Sequence, residues 1–273
     1  MLKNKKHSLI LFGLALLLSA CNHSPQTLLI LHTNDAHSQV EPTKDGLGGF
    51  VARQALVDSF RTVYPNVLLL DAGDIFQGTP YFNRFDGRLE IEAYNQMGYE
   101  AATIGNHEFD KGIDTLAARI RQAKFPFVSA NYEVKGTALD GLVKPYVVIE
   151  KSGLKVGILG LGVDPNKLIL ETYFGGLTYT DPIKGANRYA EILKNKEKCD
   201  FVIVLSHLGY SSDPEIMSDS LVAVNSRNID LILGGHTHEI RGVFDIKNLD
   251  NKSVSVLQAH KSAKEITTIV VEY

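Results

Sequence analysis

Residues 67–70 and 201–205 are large and apolar at every position, and residues 229–233 read the same way apart from Asp230. A strand with one face in water alternates polar and apolar residues, so strands like these need cover on both faces. Between and around them the pattern changes period. Helical spacing runs through residues 49–60, 89–97, 113–123 and 186–196, and a further helix-like segment separates 201–205 from 229–233. Short apolar stretches at 28–31, 101–104, 127–129, 146–150, 155–161, 253–258 and 265–271 read as additional strands. Strands alternating with helices predict an α/β fold with central buried sheets. The later strand pairs, which lack an intervening helix, predict mixed sheets. The length of 273 residues allows one large domain or two small ones, and no internal repeat or low-complexity tract divides it.

Polar residues able to hold a metal stand just past the ends of these strands. His32-Thr33-Asn34-Asp35-Ala36-His37 follows the first, and Asp71-Ala72-Gly73-Asp74 the second. Gly105-Asn106-His107-Glu108 follows Ile104, Ser206-His207 follows Leu205, and Gly234-Gly235-His236-Thr237-His238 follows Leu233. Ligands of open α/β sheets bind outside the carboxyl ends of the strands, so five such loops predict one site. Asp35/His37 and His236/His238 are each two residues apart, which in extended backbone puts both side chains on one side. Each residue alone has an ordinary reading: a lone His after a strand is a hydrogen-bonded core or surface residue, and Asp71 or Asp74 alone is a turn or cap. Together they form a mixed oxygen and nitrogen donor set, suited to borderline divalent ions. A closed structural zinc site, which favours cysteine, fits poorly.

In order and content these blocks resemble the calcineurin-like metallophosphoesterases, and within them the 5′-nucleotidase family. Phe76-Gln77-Gly78-Thr79-Pro80 and Met97-Gly98-Tyr99-Glu100 extend the likeness, which covers about residues 28–258. The resemblance implies a four-layer αββα sandwich of two mixed sheets, with a dinuclear metal site at the strand ends. It implies that Asp35, His37 and His238 hold one divalent ion, that Asn106, His207 and His236 hold a second, and that Asp74 bridges them. The ions would be Zn, Mn or similar. His107 would stabilise transition-state charge or protonate the leaving group, with Asp110 orienting it, and Asp71 would be structural. The implied reaction is hydrolysis of nucleoside monophosphates to nucleoside and phosphate, with 2′,3′-cyclic nucleotides as further substrates. A broad phosphomonoesterase or phosphodiesterase is the alternative. A non-catalytic metal-binding lipoprotein that docks a partner is weaker, because the whole ligand set and the His107–Asp110 pair are present. Two departures stand out. Full-length family members carry a second domain that clamps the nucleobase, and this sequence stops at Tyr273, so a separate chain is expected to supply that domain or specificity is broad. After Ala259, His260-Lys261-Ser262-Ala263 replaces a glycine-containing stretch; it reads as a surface loop, or, more sharply, as one from which His260 or Lys261 reaches the substrate phosphate.

The amino terminus predicts a targeting segment. Lys3, Lys5 and Lys6 precede an apolar run at 9–18 that, as a helix, spans only about 15 Å, against a bilayer core of about 30 Å. Leu18-Ser19-Ala20-Cys21 resembles the lipobox of bacterial lipoproteins, which implies cleavage after residue 20 and acylation of Cys21, with 21–27 a linker and 28–273 the catalytic domain. Without those three lysines the formal charge changes from −3 to −6. A negative chain is not held on an anionic membrane by its charge, so the lipid must hold it. With Cys21 acylated, Cys199 has no disulfide partner and reads as a buried thiol. The expected location is the bacterial cell envelope, facing the periplasm or the cell surface. Asn22 is compatible with outer-membrane sorting. Without a basic stripe, no duplex nucleic-acid binding is expected.

Overall fold

Alternate residues of strand β1 (Thr27–Thr33) belong to two different cores. The computed structural model describes residues 26–273; the targeting segment and Cys21 lie outside the described residues. The other strands are β2 (Val67–Asp71), β3 (Ala101–Thr103), β4 (Phe127–Val128), β5 (Tyr132–Glu133), β6 (Tyr146–Lys151), β7 (Leu154–Leu161), β8 (Thr178–Tyr179), β9 (Phe201–Ser206), β10 (Leu231–Gly234), β11 (Ile240–Lys247), β12 (Ser253–Ala259) and β13 (Thr267–Glu272). The helices are α1 (Phe50–Val63), α2 (Pro80–Phe85), α3 (Arg88–Met97), α4 (Ile113–Gln122), α5 (Glu171–Phe174), α6 (Pro182–Glu191) and α7 (Asp219–Val224).

One sheet has the order β13-β1-β2-β3-β4, parallel except for β13. A second has the order β11-β12-β10-β9-β7-β6, with a parallel centre and antiparallel edges, and β5 and β8 pair as a small antiparallel third. Leu28, Ile30, Leu68 and Leu70 of the first sheet pack with Ile158, Ile203, Leu205 and Leu233 of the second. Leu29, Leu31 and Leu69 face the opposite way, onto Phe50 and Val57 of α1, Ile91 of α3 and Leu116 of α4. Val202, Val204 and Ile232 face Ala186 and Ala190 of α6 and Val222 of α7. Helices, two facing sheets and helices therefore make the four expected layers, and the every-position apolar strands are those covered on both sides. At Gly160 of β7 a Cβ would lie 2.0 Å from the Val128 carbonyl oxygen, so backbone meets backbone where the two sheets touch.

Most expected strands appear with bounds within two residues. The helix expected over 186–196 begins earlier, because Asp181 caps it by accepting from Ile183 N at 2.9 Å and Pro182 opens its first turn. It then continues as a single π-type stretch, Ile192–Lys196. Strand β11 has no counterpart in the sequence reading. Its apolar residues do not alternate, because a bulge between Arg241 and Phe244 shifts the register midway.

Candidate metal centre

Loops from both sheets meet at one end of the sandwich. The turns after β1, β2 and β3 carry Asp35, His37, Asp74, Asn106 and His107; those after β9 and β10 carry His207, His236 and His238. Asp35, His37 and His238 form one group whose donor atoms lie within 4.8 Å of one another, Asp74, His207 and His236 form another, and His37, Asp74 and His107 form a third that overlaps both. The His37 and His238 Nε2 atoms are 2.9 Å apart. His238 Nε2 is 3.2 Å from Asp35 Oδ1, and His207 Nε2 is 3.0 Å from Asp74 Oδ2. Asn106 sits between Gly105, which abuts the Asp74 carboxylate, and His107, whose backbone N–H donates to Asp74 Oδ1 at 2.9 Å.

The local backbone is strained in a consistent way. Asp35, His37, Asp74, His236 and His238 all have φ between 47° and 75°. This left-handed region costs a non-glycine residue about 1–2 kcal/mol, though Asp and His tolerate it better than most. Bonds between loops hold the conformation: Asp35 N donates to Gly73 O at 2.9 Å, His37 N to Asp74 O at 3.0 Å, and Ser262 N to Asp35 O at 2.7 Å. Close approach adds a second constraint, since a Cβ at Gly105 would lie 2.2 Å from Asp74 Oδ1. Left-handed backbone at five converging residues is a feature that clusters at ligand and metal sites.

The donor set fits divalent cations. Asp35 Oδ1, Asn106 Oδ1 and His207 Nε2 are buried without a hydrogen-bond partner, a costly arrangement unless something else satisfies them. His207 Nδ1 lies 2.7 Å from the Ala72 carbonyl oxygen; donating there leaves Nε2, once it releases its proton, as the nitrogen that a cation would take. Burial opposes charge on His207, but Asp74 and Asp35 outweigh it and push this imidazole up to about 10. Burial likewise opposes ionisation of Asp74, and His207 outweighs it, holding that carboxyl below its usual range. His236 moves the other way, down to about 4, through burial and the neighbouring His207. Two carboxylates thus hold positive charge on His207 while burial lowers His37 and His236, and a divalent ion would meet the carboxylates' demand for positive charge.

A family model described as calcineurin-like phosphoesterase matches residues 28–239. The chain belongs to this family. It is 34% identical over 223 residues to the 5′-nucleotidase of Vibrio cholerae, covering 78% of this chain and 40% of that one. It is 32% identical over 274 residues to the 5′-nucleotidase of Rattus norvegicus, covering 90% and 46%. The fold superposes on a 5′-nucleotidase precursor from Thermus thermophilus with a TM-score of 0.81 and 33% identity, covering 90% of this chain and 51% of that one. The NAD nucleotidase of Haemophilus influenzae gives a TM-score of 0.81 at 30% identity, with 92% and 48% covered. The chain spans about half the length of these relatives.

Members of this family use two divalent metals, and the two donor groups above are this chain's candidates for them. His107 stands at the edge of the cluster, its ring 5.3 Å from that of His37. Its Nδ1 lies 2.9 Å from Asp110 Oδ2, and both side chains are about 30% exposed, so the pair faces the mouth of the site. Burial opposes charge on His107, but the Asp110 bond and the Asp74 carboxylate overcome it and hold the imidazole above its ordinary range. Asp71 is spoken for elsewhere: it accepts from Thr33 Oγ1 at 2.6 Å, from Tyr94 OH at 3.0 Å and from Gly73 N at 2.9 Å.

Several supporting residues escaped the sequence reading. Buried Glu108 accepts three backbone amides: Asp74 N at 2.9 Å and Gly105 N at 2.6 Å on Oε2, and Ile75 N at 2.8 Å on Oε1. It pins the β2 and β3 turns together, and burial plus the facing Asp74 carboxylate push it up to about 8. Its place inside the Gly-Asn-His-Glu block was visible, but not what it binds. Asn34 ties the first turn to the carboxyl-terminal segment, donating to His260 O at 2.7 Å and accepting from Ala259 N at 2.8 Å. That segment is therefore less of a surface loop than expected: Lys261 is exposed, but Ala263 is buried and Ser262 packs against Gly48. The His260 Nδ1 is buried without a partner, and the residue belongs to none of the donor groups among the described residues.

Proposed function

We propose that residues 28–273 form one catalytic unit that hydrolyses phosphate monoesters of the nucleotide type. The observation that carries this is the pair of donor groups meeting at His37 and Asp74, beside the His107–Asp110 dyad. Asp35, His37 and His238 would hold one cation and Asn106, His207 and His236 the other, with Asp74 between them. Bound there, two divalent cations supply Lewis acidity toward phosphoryl oxygens and lower the pKa of water. The chain's own residues do the rest. His207 holds its tautomer through Ala72 and presents Nε2 inward. Asp110 holds His107 Nδ1, which leaves Nε2 to meet charge on the transferring phosphoryl group and pass a proton to the departing oxygen. The similarity to 5′-nucleotidases and an NAD nucleotidase supports a nucleotide as substrate. The broader phosphomonoesterase or phosphodiesterase remains the alternative.

The lipobox pattern ending at Cys21 supports lipid anchoring in a bacterial envelope, testable by labelling with a palmitate analogue and its loss in Cys21→Ala. The decisive assay compares kcat/KM for AMP and p-nitrophenyl phosphate, using the full chain loaded with Mn or Zn. A strong AMP preference supports the nucleotidase reading. Equal, modest values point to a broad esterase or to a further chain that completes nucleoside recognition. No turnover of either, with both metals bound, would overturn the proposal.

A further inference from the structure

Gln258 is a buried polar residue near the end of β12, in register with Gly234 of β10. A buried amide must find partners for its NH2 and its oxygen. Gln258 finds them on the turn that carries His236. Its Nε2 donates to Gly235 O at 2.9 Å, and its Oε1 accepts from Thr237 Oγ1 at 2.9 Å. The residues it grips are the two that flank His236. Asp219 of α7 is also buried and lies behind this amide, with Oδ2 3.5 Å from the same Nε2. Acceptors on one side and a hydroxyl on the other fix which way the amide faces. A Cβ at Gly234 would lie 2.2 Å from Asp219 Oδ2 and 3.1 Å from Gln258 Cγ, so only glycine lets this brace come so close.

The turn itself needs holding. Thr237 N donates to Gly235 O at 2.9 Å across His236, whose φ is 75°. A bond between residues two apart, over a positive φ, makes a γ-turn of the rare and strained kind. Such backbone persists only where its surroundings over-determine it. The amide of His236 at the apex donates to Asp35 Oδ2 at 2.9 Å, and Gln258 holds both feet.

We propose that Gln258, backed by Asp219, is a positioning residue that locks this γ-turn, so that the His236 imidazole is aimed at its cation before the ion arrives. The inference rests on the two-cation reading, in which His236 serves the ion held with Asn106 and His207. The amide of Gln258 is taken up by Gly235 and Thr237, and the residue belongs to none of the donor groups, so its effect passes through the turn. A ligand fixed beforehand loses little freedom when the ion binds. An unlocked turn must be ordered at that moment, and the cost falls on affinity for that one ion. Once the ion is bound the turn is ordered in either case, so the rate at saturating metal is little changed.

The test uses the full chain and three variants. Gln258→Leu keeps bulk and removes both bonds, and Gln258→Glu sets an oxygen against Gly235 O and Asp219. Thr237→Val, at an exposed position, removes one bond and keeps the test open if the Gln258 variants fail to fold. Calorimetric titration with Mn should show two binding events in the wild type. In both Gln258 variants one Kd should rise about tenfold or more while the other stays within about threefold, and in Thr237→Val the same Kd should rise about threefold. At saturating Mn, kcat for p-nitrophenyl phosphate should recover to within about threefold of wild type, a rescue that general loosening of the fold would not give. Unchanged Kd values in every variant that folds, or equal weakening of both ions, overturn the inference. A wild type that binds fewer than two ions strikes instead at the two-cation reading. Imidazole NMR signals of His236 in the cation-free chain then decide the brace: one sharp set in the wild type and a broadened or multiple set in Gln258→Leu or Thr237→Val uphold it, and identical sets overturn it.

Discussion

Glu108→Gln replaces the carboxyl group that joins the turns carrying Asp74 and Asn106. The carboxylate accepts from Asp74 N and Gly105 N on one oxygen and from Ile75 N on the other. Glutamine has one acceptor oxygen. In its better orientation it keeps the first two amides and turns its NH2 toward the third. Hydrogen bonds to a charged group contribute about 1.5–3 kcal/mol, and an unpaired buried donor costs about 1–3 kcal/mol. One lost partner and two weakened ones therefore predict about 2–4 kcal/mol. At 2–4 °C per kcal/mol for a chain of this size, the metal-loaded protein should melt about 5–15 °C lower. The effect also depends on metal. Without cations, burial first and the Asp74 carboxylate second oppose ionisation of Glu108, which then titrates near pH 8 and is mostly protonated at pH 7, much like Gln; only the second depends on metal. Cations at Asp74 relieve that opposition and favour the carboxylate. The gap between wild type and Glu108→Gln should widen when metal is added, and metal Kd should weaken at least tenfold, about 1.4 kcal/mol. Scanning calorimetry with and without Mn, together with a chelator-competition titration, measures both. Equal melting temperatures and equal metal Kd at pH 7 would refute the clamp.

His107→Asn should keep both metals yet lose about 10²–10⁴-fold in kcat, as expected for removal of an acid catalyst; metal content by elemental analysis and steady-state kinetics separate the two effects. Asp74→Asn should lose metal, and two ions still bound in that variant would rule out a bridging role. Metal affinity should fall as pH falls, because His207 is protonated up to about pH 10 in the cation-free site and must release that proton to bind, which predicts about tenfold per pH unit for that step. A rate that is flat from pH 7 to pH 5 would argue against histidine ligation. Asp110→Asn removes the main influence raising His107, so the alkaline limb of kcat/KM should move to lower pH; an unmoved limb would mean that His107 does not set it.

Much of the site could be read from local pattern, because its logic is local. Each donor follows an apolar strand within a few residues, and Asp35, His37, His236 and His238 come in short-range pairs. The pairing of His107 with Asp110 was legible as a likeness to a known motif, and the structure puts their atoms 2.9 Å apart. What stayed hidden were contacts whose partners are remote or are backbone. Glu108 acts on amides 33 and 34 residues away. Asn34 reaches across 226 residues to His260, which is why the carboxyl-terminal segment looked freer in sequence than it is. Strand β11 was missed because a bulge breaks the alternation on which strand recognition depends.

The sequence by itself determined which atoms are available to a metal, that they lie at strand ends, and that the strands need cover on two faces. Tertiary structure decided the partners. β12 and β13 are consecutive in sequence yet enter different sheets, one beside β10 and the other beside β1. His37 meets His238 across 201 residues only because the first sheet places one strand end opposite a strand end of the second. The reason is physical. A residue pattern records which faces must leave water, a property of each segment alone. Which segment covers that face is settled by the joint packing of two sheets, and the donor groups exist only once that packing is made.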